Sequence, residues 1–261
     1  MFRPIAWALA ALTLVLLAAC SNQAADKGSP KSKNAEPRVK KLQISDKKVG
    51  TGDEVANGDT VWVTYVGKFG TGEVFDSNDK ADSEPYAFKV GARRVLPGWE
   101  QGLVGMKVGG ERKLAIPSDL AYGKFGMPPK MPPDSDLYFD IVLHDVVKQG
   151  KENELRIEDL KVGNGPDLRM GDTAVVHSKV KLVNGKLIDS SYARKKPDEF
   201  KVGYKFNLSG VNTGLLGMRP GGKRRLRLTP DISWGEGGGP FVPANSIMIV
   251  ELELVKIKGR P

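Results

Sequence analysis

The first half of the chain carries aromatic side chains at irregular spacings, among them Tyr65, Phe75, Tyr86, Phe88, Trp99, Tyr122, Phe125, Tyr138 and Phe139. A core uses such residues too, and Phe88 and Tyr138 read as core. Trp99 is different. Its ring is hard to bury completely and its N–H wants a partner. It stands two residues after Pro97 in "VLPGWEQGLVGM" (Val95 to Met106), where a helix would begin. That placement suits the floor of an open, aromatic pocket, a site that holds an apolar group away from water. Metal chemistry is poorly supplied. Two histidines and one cysteine are too few for the three or four clustered ligands a transition metal needs, and His144 in "FDIVLHDVV" and His177 in "AVVHSKV" read as structural. No metal and no cofactor is expected.

The elements that must position these residues are mostly strands. "TVWVTYVGKF" and "LYFDIVLHDVV" are rich in β-branched and aromatic residues, and "ERKLAIP" is a shorter run of the same kind. Glycine-rich turn signals separate them. The one helical candidate begins at Pro97, a residue suited to a first helical position, and puts Trp99 and Leu103 on one face. Its glycines make it a poor helix alone, so packing must hold it. The expected fold class is α+β, an antiparallel sheet wrapped around one short helix, with a long loop from Pro117 to Asp136.

The chain then repeats itself. "VGTGDEVANGDTVWV" at Val49 matches "VGNGPDLRMGDTAVV" at Val162, and "GMKVGGERKLAIPSD" at Gly105 matches "GMRPGGKRRLRLTPD" at Gly217. A period near 112 residues is domain-sized. Two homologous domains are expected, over 41–148 and 155–258, with a short polar joint at 149–154. In the second copy "NLSGVNTGLLGM" keeps the glycines of the helical segment, but Val211 replaces the tryptophan.

The start reads as a separate element. Arg3, an apolar run from Ile5 to Ala19, and "LAAC" ending at Cys20 have the plan of an export signal and resemble the bacterial lipobox. Residues 1–19 are expected to be a lipoprotein signal peptide. Cys20 is the expected lipidation site, and residues 20–40 a polar, disordered tether. The protein would be exported and membrane-anchored, in the outer membrane if the host is Gram-negative. The 261 residues carry a formal net charge of +9. Charge is uneven: residues 41–148 hold 14 basic and 16 acidic side chains, and residues 149–261 hold 20 and 13. In "KRRLR", Lys223, Arg225 and Arg227 share one strand face. That face is either solvated or open to anionic lipid or an acidic partner. Nucleic acid is not expected for an exported protein.

"VFDS", "VLPGWEQGL", "GGERKLAIPSDLAYG" and "MPP", in that order, resemble the FKBP family of prolyl isomerases over nearly the whole of both copies. The resemblance implies a half-open sheet around a short helix and an aromatic substrate pocket. Its catalytic set would be Tyr65, Phe75, Asp76, Trp99, Tyr122 and Phe139, with Tyr86, Val95, Leu96 and Met131 binding substrate. Trp99 would lie beneath the proline ring, while the Leu96 N–H and the Tyr122 hydroxyl hold carbonyls. Implied partners are proline-containing polypeptides and the macrolide inhibitors of the family. Met127 and Lys130 depart from the family pattern, and "SNDKADSEP" lacks its usual arginine. The chemistry suits the residues. An X–Pro bond turns over tens to hundreds of seconds because rotation sacrifices amide resonance. The twisted amide is less polar than the planar one, so a dry aromatic site favours it, which is the differential binding that catalysis needs. A non-catalytic chaperone or scaffold that holds proline-containing segments is the alternative. In the second copy Ser178, Ile188, Val250 and Asn207 stand at the positions of Tyr65, Phe75, Phe139 and Val95, and only Asp189 and Trp234 remain of the pocket. That copy is expected to be weakly active or inactive and to serve in client binding.

Overall fold

A computed structural model describes residues 38–80, 83–204 and 208–259. The signal segment, Cys20, most of the tether and Asn207 lie outside the described residues. The first copy is built from strands β1 (Gln43–Lys48), β2 (Thr60–Phe69), β3 (Val74–Ser77) and β4 (Tyr86–Lys89), helix α1 (Pro97–Leu103), and strands β5 (Glu111–Ile116) and β6 (Leu137–Val147). Their order in the sheet is β1-β5-β6-β2-β3, with β4 also on β2, and every pair is antiparallel. β6 alternates buried and half-buried residues along most of its length, as a strand does when one face covers a core. Leu103, Trp99, Leu114, Ile116, Ile141 and Leu143 are buried in that core.

The second copy repeats the plan. β7 (Leu155–Lys161), β8 (Thr173–Leu182), β9 (Leu187–Ser190), β10 (Asp198–Lys201), α2 (Ser209–Leu215), β11 (Lys223–Leu228) and β12 (Met248–Ile257) follow in the same sequence. The sheet runs β7-β11-β12-β8, with β9 and β10 both on β8. The α+β fold expected from the repeat is the fold observed, twice.

Three details differ from the sequence reading. β1 and β7 escaped it because their residues are almost all exposed and show no apolar alternation. The loop from Pro117 to Asp136 contains two short 3-10 turns, Ser118–Leu120 and Gly123–Phe125. The end of the expected tether is ordered. Asp136, only 1% exposed, accepts hydrogen bonds from the Val39 N–H at 2.8 Å, the Ser118 N–H at 3.0 Å and Arg38 Nε at 3.1 Å. A buried carboxylate demands such partners, and polar composition gave no sign that Arg38 and Val39 supply them.

A seven-residue helix is too short to be stable alone. Two features seat α1 on the sheet. The first is close approach. A side chain at Gly98 would run into Ile116, and one at Gly102 would put its Cβ 2.7 Å from Leu114. The second is Arg112, which is buried. Its Nη1 donates to the carbonyls of Gly102 and Val104 at 2.8 and 3.1 Å, and its Nε and Nη2 donate to Asp46 at 2.6 and 3.1 Å. Carbonyls left unpaired at a helix C-terminus are thereby satisfied. Arg224 makes the same contacts to Gly214, Leu216 and Asp159.

The strand-face lysine and arginines of "KRRLR" are not left open. Lys223 pairs with Glu253 at 3.0 Å, and Arg225 with Glu158 and Glu251 at 2.9 and 3.2 Å. Arg227 reaches the first copy, donating to both Asp145 oxygens at 2.7 Å and to the Val146 carbonyl at 3.0 Å. Neighbouring carboxylates therefore neutralise the face that read as a lipid or acidic-partner surface. Other bonds join the copies: Trp62 Nε1 to the Asn245 carbonyl at 2.9 Å, Arg156 to Asp53 at 2.7 Å and Asn184 to the Ser83 carbonyl at 2.9 Å. Trp62, Val147 and Ile247 form a small buried cluster of their own.

Removing the arginine clamp should be costly. Arg112→Ala strands buried carbonyls and one side of an ion pair, and is expected to destabilise by about 2–4 kcal/mol. Arg112→Lys should recover less than half of this, because an ammonium cannot span a carboxylate and two carbonyls together. Urea unfolding of the full chain measures both, and an Arg112→Ala midpoint equal to the parent's would refute the clamp.

Candidate functional site

The concave face of the first sheet ends in a cavity of about 350 Å3, lined by Tyr65, Phe75, Asp76, Tyr86, Arg94, Val95, Leu96, Pro97, Trp99, Tyr122 and Phe139. Its floor is Trp99, 4% exposed. Tyr65 and Phe139 stand edge-on to the indole, with ring centroids 4.9 and 5.1 Å away and interplanar angles of 86° and 88°. Phe75 meets Phe139 at 5.7 Å and 90°. Edge-to-face contact suits ring quadrupoles and fixes the walls. The strands supply the rest. Gly67 on β2 lies under Phe75 and Phe139, where a Cβ would come within 2.7 and 2.9 Å of the two rings. The missing side chain makes room for both.

The polar groups are few and placed at the rim. The Tyr65 hydroxyl donates to Asp76 at 2.7 Å, so Asp76 finds a partner although its loop lacks the usual arginine. Burial, then the hydrogen bond to Asp76, pushes the Tyr65 hydroxyl well above the ordinary tyrosine range. Burial, then the Asp76 charge, pushes Tyr122 up as well. Both hydroxyls therefore stay protonated at neutral pH. Among the described residues the Tyr122 hydroxyl, the Leu96 N–H and the buried Trp99 Nε1 have no hydrogen-bond partner. The cavity thus offers an apolar, preformed floor with donors at its edge.

The residues singled out from sequence come together here, with one exception. Met131 is 3% exposed and packs in the core rather than in the cavity wall. The backbones of Met127 and Met131 bond to each other in both directions, and this curl turns the Met131 side chain inward. Phe88 is in the core and touches Trp99 from beneath. Tyr138 instead lines a groove with Lys68 and Lys113. Arg94 and Pro97 were missed as lining residues, although both flank the Val95–Leu96 pair. Phe125 is 75% exposed outside the cavity. The histidines have local roles: His144 Nε2 lies 2.9 Å from the Thr64 hydroxyl, and His177 Nδ1 3.0 Å from that of Ser191.

The second copy is rebuilt at the same positions. Register places Val180 opposite Asp189 as Gly67 lies opposite Asp76. Val180, Ile188 and Val250 pack together in its core. The valine side chain therefore occupies space that a glycine leaves to two phenyl rings. Asp198 sits where Tyr86 does, opposite Val176 as Tyr86 is opposite Val63. The Ser178 hydroxyl donates to Asp198 at 3.3 Å, and Arg194 bridges Asp189 and Asp198. Carboxylates and an arginine occupy the wall that is aromatic in the first copy.

The Tyr65 hydroxyl, its pKa raised by burial and then by Asp76, has a pH signature. A folded-state pKa raised above the unfolded value gives stability that is complete below the ordinary tyrosine value of about 10 and is lost as pH rises toward the folded one. Tyr65→Phe should therefore lose less stability than the parent between about pH 10 and 12, measured by urea midpoints. Equal losses would exclude Tyr65 as the responsive group.

A sequence model for FKBP-type peptidyl-prolyl cis-trans isomerases matches residues 52–144 and 165–255. Peptidyl-prolyl cis-trans isomerase FKBP10 of Homo sapiens is 34% identical over 207 residues, 78% of this chain and 35% of that protein. FK506-binding protein 4 of Neurospora crassa is 48% identical over 108 residues, 41% of this chain and 22% of that protein. The solved structure of the three FKBP domains of wheat FKBP73 covers 83% of this chain and 94% of its own at 23% identity, with a TM-score of 0.38. The chain spans about a third of the length of the FKBP10 and FKBP9 relatives it matches.

Proposed function

Because the chain belongs to the FKBP-type peptidyl-prolyl cis-trans isomerase family, we propose that its first copy turns X–Pro bonds in polypeptide substrates and that its second copy is a weakly active or inactive frame that helps hold them. The observation that carries this reading is the cage of Trp99, Tyr65, Phe75 and Phe139. A prolyl ring seated on the indole leaves water. The imide beside it then faces apolar walls that favour the twisted, less polar amide over the planar one. The free Leu96 N–H and Tyr122 hydroxyl hold flanking carbonyls, and Asp76, fixed by Tyr65, orients the reacting segment. No proton is abstracted and no covalent bond is made. A macrolide inhibitor of the family would compete for the same floor. The second copy lacks that floor, since Val211 replaces the indole and Val180 fills the space below the walls.

We further propose that the protein acts on exported clients from a lipid anchor at Cys20. This rests on the first 20 residues alone, and the FKBP10 and FKBP9 relatives are animal proteins.

Removing the indole removes roughly 1.5–3 kcal/mol of apolar contact. Trp99→Ala in the full chain is expected to lower kcat/KM for a proline peptide by about 10–100-fold. Gly67→Val, which crowds Phe75 and Phe139 without touching substrate, should lower it in the same direction. Protease-coupled isomerisation measures both, with circular dichroism confirming the fold. An inactive parent chain that still binds proline peptides would establish the non-catalytic scaffold instead. Undiminished activity in Trp99→Ala would refute the indole as the catalytic floor of the first copy. For the anchor, radiolabelled palmitate should enter the parent in bacterial cells and not Cys20→Ser; equal labelling sinks it.

A further inference from the structure

Beside the catalytic cavity lies a second opening of about 500 Å3, between the two copies. The first copy contributes Trp62, Tyr86 and Arg94, and the second contributes Asp231, Glu236 and Asn245. Tyr86 and Arg94 also line the catalytic cavity, so the two openings share a wall. The 3-10 turns Pro230–Ile232 and Gly235–Gly237 carry the two acids. Their equivalents in the first copy, Ser118–Leu120 and Gly123–Phe125, flank Tyr122. The second copy thus uses the loop that would frame its own site to extend its neighbour's.

The cleft has a held shape. The Trp62 indole is fixed by the Asn245 carbonyl, and Arg227 locks β11 to Asp145 and Val146. Its charges are not all spent internally. Glu152, also on the wall, accepts the Gly150 N–H at 3.0 Å and faces Lys89. On the second copy's side the carboxylates of Asp231 and Glu236, and on the first copy's side the cations of Arg94 and Lys89, have no hydrogen bond or ion pair among the described residues.

We propose that a client chain leaving the proline cavity past Tyr86 and Arg94 runs into this cleft, where Asp231 and Glu236 receive a lysine or arginine side chain. The cleft is a specificity subsite made by the second copy for a reaction in the first. It rests on the isomerase reading of the cavity. Continuity of the wall indicates that the occupant is the same polypeptide, and the carboxylates, which lie on the second copy's side away from Arg94 and Lys89, select its basic residue there. An extended chain advances about 3.3–3.6 Å per residue, so the basic residue lies a few positions from the proline.

The test uses the full chain and two fluorescent peptides with a single proline. They are identical except for lysine or glutamate placed roughly three to six residues away on both sides. Exposed ion pairs are individually weak, so anisotropy should show the lysine peptide binding about fivefold more tightly than the glutamate peptide, less so at high salt. Asp231→Asn/Glu236→Gln should bring the ratio below about twofold and leave the isomerisation rate of a tetrapeptide, too short to reach the cleft, unchanged. No lysine preference in the parent, or a preference that survives the double substitution, overturns the subsite. A tetrapeptide rate that falls as far as long-peptide binding does also overturns it, because the acids would then act on the cavity itself. If the parent leaves the tetrapeptide unturned but keeps an acid-dependent lysine preference, the isomerase reading fails and the cleft stands as a binding site.

Discussion

The site depends on keeping a seven-residue helix pressed against a sheet. α1 has too few turns and too many glycines to persist by itself, yet it carries the indole that forms the cavity floor and begins at the Leu96 N–H on its rim. Gly98 and Gly102 remove the side chains that would hold it away from β5. Arg112 then ties its last carbonyls to β5 and, through Asp46, to the edge strand β1. The edge strand, though almost wholly exposed, is therefore part of the support for the cavity floor. The second copy keeps every part of this device, with Gly210, Gly214, Arg224 and Asp159 in the same relations, although it no longer carries the tryptophan. The device belongs to the fold, and the tryptophan belongs to the site.

The second copy's wall is repacked rather than eroded. In the first copy a glycine on β2 makes room for Phe75 and Phe139. In the second, Val180 supplies volume from the strand while Ile188 and Val250 withdraw it from the walls. Cores tolerate exchanges that conserve volume, so the sheet keeps its order and register. At the rim a neutral phenol donating to a carboxylate gives way to an arginine between two carboxylates. Such a wall is charged where the first copy's is aromatic. The arginine absent from the loop after Asp76 is present here after Asp189, where no aromatic cage remains for it to serve.

Much of this was legible because the chain aligns with itself. Retained glycines marked the frame, and aromatic residues present in one copy alone marked the cavity. Trp99, Tyr65, Phe75 and Phe139 could be read in this way because each has a non-aromatic counterpart. Gly67 could have been found by the same comparison, since Val180 faces it at the same spacing, but one glycine among 31 draws no notice until its neighbours are known to be rings. Met131 misled because an apolar loop residue fits either a wall or a core, and the backbone pairing with Met127 decides between them. β1, β7 and the docked Arg38 and Val39 left no pattern. Their contribution is backbone hydrogen bonds and charge contacts to distant partners, which hydrophobic periodicity cannot register.

The contact between the copies gives the second copy a physical role that does not depend on its own cavity. Trp62 and Val147 lie on the first sheet facing away from α1. In an isolated domain they would present an indole and an aliphatic side chain to water. In the full chain Ile247 covers them, the Asn245 carbonyl takes the indole N–H, and Arg227 neutralises Asp145 beside them. Asn245 does this from a left-handed backbone conformation, φ 55°, one that asparagine tolerates better than most residues. Arg227 comes from the basic stretch that composition alone would assign to a surface. The second copy thus closes the back of the first and shapes the cleft beside its cavity, whatever its own activity.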